Sequence, residues 1–204
     1  NGNITIGEDS TGIHVYSKYF NVHEAAVVNN SRIAADENSS NAIGMLLDIG
    51  EERSSISANN NNAYIIDLHM LNSGTIELKG DRSTGIYLTG KGKGEFRTSN
   101  EYTGHIIIGD SKDKNRPGIG MYSDNPNGTI RNTNTGFIEI EKNDIGMAGV
   151  NGTTVRNEGT ITIKGDNSIG MYLSGGAKGF NSGTITTEGS PKNAVGVFVG
   201  QGAE

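Results

Sequence analysis

The chain has 204 residues, with 23 acidic against 17 basic side chains and a formal charge of −6, a balance that argues against nucleic acid as a partner. Cysteine is absent, which excludes disulfides, Cys-based zinc sites and thiol catalysis. Isoleucine outnumbers leucine 23 to 7, excluding an all-helical protein because β-branched side chains favour strands.

Read from the start, the chain repeats itself. A first phrase of alternating apolar residues begins at Ile4, Ile33, Ile76, Ile106, Ile138, Ile161 and Ile185. Several copies follow NxG, as in Asn72-Ser73-Gly74, Asn157-Glu158-Gly159 and Asn181-Ser182-Gly183, with Asn134-Thr135-Gly136 as a variant. A second phrase trails each copy: Thr11-Gly12-Ile13, Ile43-Gly44-Met45, Thr84-Gly85-Ile86, Ile119-Gly120-Met121, Ile145-Gly146-Met147, Ile169-Gly170-Met171 and Val195-Gly196-Val197. A third, less regular apolar patch precedes each NxG, for example at Val155 or Phe180. Ile33 and Ile76 stand unusually far apart, so an extra copy is expected at Ile56-Ser57-Ala58, followed by Tyr64-Ile65-Ile66.

Two or three short strands per repeat, with Gly and Asn at the corners, predict an all-β parallel β-solenoid of about eight coils spanning 1–204 as one segment. At ~4.8 Å per coil the rod is roughly 38 Å long. No coil can bury its apolar face alone, so stacking supplies the core. Alternation sends Ile161 and Ile163 inward and Thr162 outward. Asn72, Asn134, Asn157 and Asn181 are expected to take left-handed corners and bond their amides from coil to coil. Extra loops are expected at 17–24, 91–102 and 110–117, and Asn21–Asn30 reads as either a short helix or an irregular third strand.

The run from Gly74 to Gly200, rich in NxGTI and IGMY phrases, resembles passenger repeats of the large fusobacterial type V autotransporter adhesins, the RadD-like group. The resemblance implies a segment of a long surface protein with a signal peptide, a β-helical passenger and an outer-membrane barrel. It implies a bacterial cell-surface or secreted location. It also implies attachment to a host cell-surface receptor or glycan, or to surface proteins of other bacteria. The chain begins without Met, as expected of a segment, and no membrane insertion by it is expected.

Candidate sites follow from the outward positions. If Ile169, Met171 and Leu173 point inward, Gly170 and Tyr172 point outward. The equivalents of Tyr172 are His14, Leu46, Tyr87, Tyr122, Ala148 and Phe198. Such a stripe could stack on sugars or anchor a protein; the simpler reading is that each ring covers a neighbouring exposed glycine. Loops on rigid scaffolds carry function, and the Lys91–Tyr102 insertion offers Lys91, Lys93, Phe96 and Arg97 beside Tyr87 and Tyr122. These six residues are the expected ligand-binding set. The third loop contains Lys112, Asp113, Lys114 and Arg116; both loops could bind acidic glycans or a receptor, and the simpler reading is a solvated loop whose length is tolerated cheaply.

Histidines 14, 23, 69 and 105 lack metal-ligand spacing, Asp110 and Asp113 are poor calcium candidates, and Asp81 and Asp166 are expected to close turns. No metal, cofactor or catalytic residue is expected. The outward carboxylates Glu77 and Glu139 are separated by Ile107, two coils or roughly 10 Å apart, which disfavours a polysaccharide-cleaving pair. An adhesin segment, an inert spacer holding a distal tip, and a catalytic β-helix are therefore the three readings.

Overall fold

In the computed structural model, residues 2–17, 24–50, 67–91 and 95–204 are described. Coil 1 is β1 (Ile4–Thr5), β2 (Thr11–Ser17) and β3 (Glu24–Asn29); coil 2 is β4 (Arg32–Ala35), β5 (Ile43–Ile49) and β6 (Asp67–Asn72). Coil 3 is β7 (Thr75–Leu78), β8 (Thr84–Gly90) and β9 (Glu95–Asn100); coil 4 is β10 (His105–Ile108), β11 (Ile119–Ser123) and β12 (Gly128–Asn132). Coil 5 is β13 (Phe137–Ile140), β14 (Ile145–Gly149) and β15 (Thr154–Asn157). Coil 6 is β16 (Thr160–Ile163), β17 (Ile169–Leu173) and β18 (Lys178–Asn181), and coil 7 adds β19 (Thr184–Thr187) and β20 (Val195–Val199). Every third strand pairs in parallel, giving two seven-stranded sheets and one of six. This is a parallel β-helix.

The first sheet stacks Ile4, Ile33, Ile76, Ile106, Ile138, Ile161 and Ile185 in register. The central five, Ile33 to Ile161, are wholly buried. The second sheet adds Met45, Ile86, Met121, Met147 and Met171, and the third adds Met70, Thr98, Ile130 and Val155. Inward residues thus meet apolar side chains above and below, with the buried Thr98 as an exception in the third sheet, and burial comes from the stack rather than from one coil.

Several expectations change. There are seven coils among the described residues, because β4 pairs directly with β7, Ile33 opposite Ile76. No coil fits between them, so the long interval is an insertion between β5 and β6; Ile56 and Tyr64 lie outside the described residues. The segment around Val27 is strand β3, not a helix.

The glycine of the second phrase faces the opposite way from that expected. Gly170 is buried, as is Met171 beside it, while Ile169 is half-buried. Pairing runs Ile169 to Val195 and then Met171 to Val197, skipping the glycine. Two successive residues therefore turn inward at a bulge repeated in each coil.

The asparagine column is also shifted. Asn29, Asn72, Asn100, Asn132, Asn157 and Asn181 form one ladder, each Nδ2 donating to the next Oδ1 at 2.8–2.9 Å. Asn134 is exposed and stands outside it. The left-handed asparagines lie at different corners: Asn151 (φ 55°) between the second and third sheets, and Asn41, Asn143, Asn167 and Asn193 (φ of 54°, 63°, 59° and 57°) between the first and second. Three of them form a second, shorter ladder, Asn193 to Asn167 to Asn143, while Asn41 donates to Asp9.

Candidate functional site

The outward column of the second sheet falls in the expected register: His14, Leu46, Tyr87, Tyr122, Ala148, Tyr172 and Phe198 occupy successive coils. The bulge sets the rings outward by turning both Gly and Met inward, so the rings do not cover exposed glycines. They pack against one another in pairs instead, the first pair tilted at 41° and the second stacked. Tyr87 and Tyr122 have ring centroids 5.0 Å apart, and Tyr172 and Phe198 lie 5.1 Å apart and nearly parallel. Ala148, between the two pairs, is itself buried.

Carboxylates flank the first pair. Asp124 Oδ2 accepts a hydrogen bond from the Tyr87 hydroxyl at 3.1 Å, while its Oδ1 is buried without a partner. Burial, then the charge of Asp124, pushes the Tyr122 phenol up to about 12. Burial is likewise the main cause of the raised Tyr87 pKa. Both hydroxyls are neutral donors at any physiological pH.

The other proposed ligand residues are not brought to this stripe. Residues 95–100 are strand β9, not part of a loop. Phe96 is fully buried in the core and cannot anchor a partner. Arg97 is exposed on the outward face of the third sheet, since its neighbours Phe96 and Thr98 point in. Lys91 is exposed at the end of β8, and Lys93 lies outside the described residues. The 91–102 insertion therefore shrinks to the few residues between β8 and β9. Sequence reasoning missed this because Phe96 follows a Gly/Lys run; its alternation with Thr98 and Asn100 was the available signal.

The carboxylates of the first sheet are engaged in ion pairs. Glu77 meets Arg32 at 2.6 Å and Lys79 at 3.3 Å. The bond from Arg32 is the largest influence holding its carboxyl below the usual range. Glu139 meets Lys164 at 2.5 Å and His105 at 2.9 Å. Burial pushes its pKa up, but Lys164 and His105 outweigh that and leave it lowered. Ile107 stands in register between the two. Asp81 and Asp166 each accept a backbone N–H of the following coil, at Lys112 and Lys192. Among the described residues no group of three His, Asp or Glu side chains has the arrangement of a metal site.

The family model for the BigA third pectate lyase-like domain matches residues 1–172. The chain belongs to that family. BigA-type domains are β-helices of adhesin-like bacterial surface proteins, and the three parallel sheets described above are this architecture. No curated protein and no solved structure matches the chain.

Proposed function

We propose that this BigA-type domain is an attachment segment of an autotransporter passenger, exposed on the bacterial surface, and that it binds without chemistry. The reading is supported chiefly by the second-sheet stripe, where two ring pairs in contact, one tilted and one stacked, stand on successive coils. Partly exposed aromatic rings with neutral hydroxyls suit the faces of sugars or the apolar anchors of a protein. The partner is a host cell-surface receptor or glycan, or a surface protein of another bacterium, as the RadD-like resemblance implies. An enzyme is disfavoured because Glu77 and Glu139 are each neutralised by cations and neither is poised to donate a proton.

The test is attachment by the parent protein carrying Tyr87→Ala and Tyr122→Ala together, compared with Arg97→Ala. Loss of cell or partner binding in the tyrosine variant alone, with an unchanged melting temperature, supports the stripe. Unchanged binding in all variants supports the spacer reading instead.

A further inference from the structure

A second surface lies apart from the stripe, at the corner between the first and second sheets. In coil 5, residues 141–144 join β13 to β14; in coil 4, residues 109–118 join β10 to β11. The longer connection is tied down at both ends. Ser111 N–H donates to Lys142 O at 2.9 Å, and Asn143 Nδ2 donates to Ser111 O at 2.6 Å. Gly118 N–H donates to Ser111 Oγ at 2.7 Å and to Asp144 Oδ1 at 3.0 Å. An insertion bound this way is pre-organised, which lowers the ordering cost of any ligand it takes.

The same bonds sort the charges. Asp81 Oδ1 accepts from Lys112 N–H at 2.8 Å, Asp110 Oδ1 from Lys142 N–H at 3.0 Å, and Asp113 Oδ1 from Asn115 N–H at 2.9 Å. Each of these acids turns one carboxylate oxygen to a backbone donor and keeps its charge, and Asp81 also meets Arg82 at 3.3 Å. Lys112, Lys114, Arg116 and Lys142 are exposed, and among the described residues no ion pair engages their charged ends. The corner therefore presents four outward cations beside three carboxylates that are each held by a backbone donor.

We propose that the Asp110–Pro117 insertion, with Lys142 of the next coil, is a docking surface for a linear acidic polysaccharide bearing sulfate or carboxylate groups. Cations on successive coils, ~4.8 Å apart along the axis, match charge that repeats along a polymer. Nucleic acid would call for stacking rings beside the cations, and residues 109–118 contain no aromatic. A membrane surface would call for an apolar face, and residues 112–116 are all polar or charged. The proposal goes beyond the attachment reading and does not depend on the aromatic stripe.

The experiment is calorimetric titration of the chain with a heparin-derived oligosaccharide, with a uronic-acid oligosaccharide, and with neutral dextran, each at two salt concentrations. The variant is Lys112→Gln, Lys114→Gln, Arg116→Gln; the control is Lys178→Gln on the third sheet. The expected result is binding of one or both acidic sugars but not dextran, weakening as salt rises. Affinity should fall roughly tenfold or more in the triple variant, with a shallower salt dependence, and stay unchanged in the control. Lys142→Gln alone should give a smaller loss in the same direction. No binding by the unaltered chain, equal binding by the triple variant, or an equal loss in Lys178→Gln would overturn the proposal.

Discussion

Gly146 and Ile161 meet between neighbouring coils: a Cβ placed on Gly146 would stand 2.8 Å from Cγ2 of Ile161 and 2.6 Å from the carbonyl oxygen of Gly170. The same contact recurs between Gly44 and Ile76, Gly85 and Ile106, and Gly120 and Ile138. The first sheet's isoleucine thus fills the space left by the second sheet's glycine, which is why the two phrases travel together along the chain.

Gly146→Ala should therefore destabilise the fold by about 1–3 kcal/mol through overpacking, since one neighbour is backbone and cannot move aside. Gly7→Ala, where a Cβ meets nothing within 4 Å, should change stability little. Thermal melts of the two variants decide this; equal losses would show that the contact is slack.

The ladder makes a second contrast. Asn132 is fully buried, and its amide donates to Asn157 and accepts from Asn100. Asn132→Ala should cost on the order of 1–3 kcal/mol by leaving polar partners unsatisfied. Asn134→Ala, two residues away on the surface, should stay within about 0.5 kcal/mol of the parent. Denaturant midpoints measured side by side would separate the two.

Asp144 sets a pH dependence. It is wholly buried, and its Oδ2 has no hydrogen-bond partner. Burial raises its pKa from 3.8 to about 7, against the opposing pull of Ser111 and the Gly118 N–H. The folded chain then keeps a proton that the unfolded chain has already released. Its contribution to stability is complete below about pH 4 and is lost as pH rises toward 7, a fall on the order of 2–4 kcal/mol. Asp144→Asn should flatten this slope, matching the parent at pH 4 and exceeding it at pH 8. A parent whose stability does not fall between pH 4 and pH 7, or a variant that keeps the slope, would refute the assignment.

Much of the fold was legible because each coil repeats the same local chemistry. The Ile columns follow from period-two alternation, and the aromatic register follows from the IGMY phrase. Asn132 was not legible because Asn132-Thr133-Asn134-Thr135-Gly136 offers two asparagines, and only stacking selects between them. The inward turn of Gly170 was hidden because alternation assumes an unbroken pleat, and a bulge breaks it without any sequence signature beyond the glycine itself. Phe96 was misplaced for a different reason: a strand on the irregular third sheet follows directly on a loop-like Lys/Gly run. Of the candidate site, Tyr87 and Tyr122 fell together as expected, while Phe96 and Arg97 belong to another sheet.

The Asn ladder also has a mechanical consequence. Its hydrogen bonds, like those of all three sheets, run along the rod from coil to coil. A pull along the axis would load them one after another rather than all at once. Such a rod yields by peeling a single coil, 24 residues from Ile161 to Ile185, while the coils behind it stay folded. Releasing that coil adds about 80 Å when extended, and a coil with a longer insertion, such as that from Ile33 to Ile76, adds more. A cell held by such a tether would meet a rising load with stepwise extension before detachment.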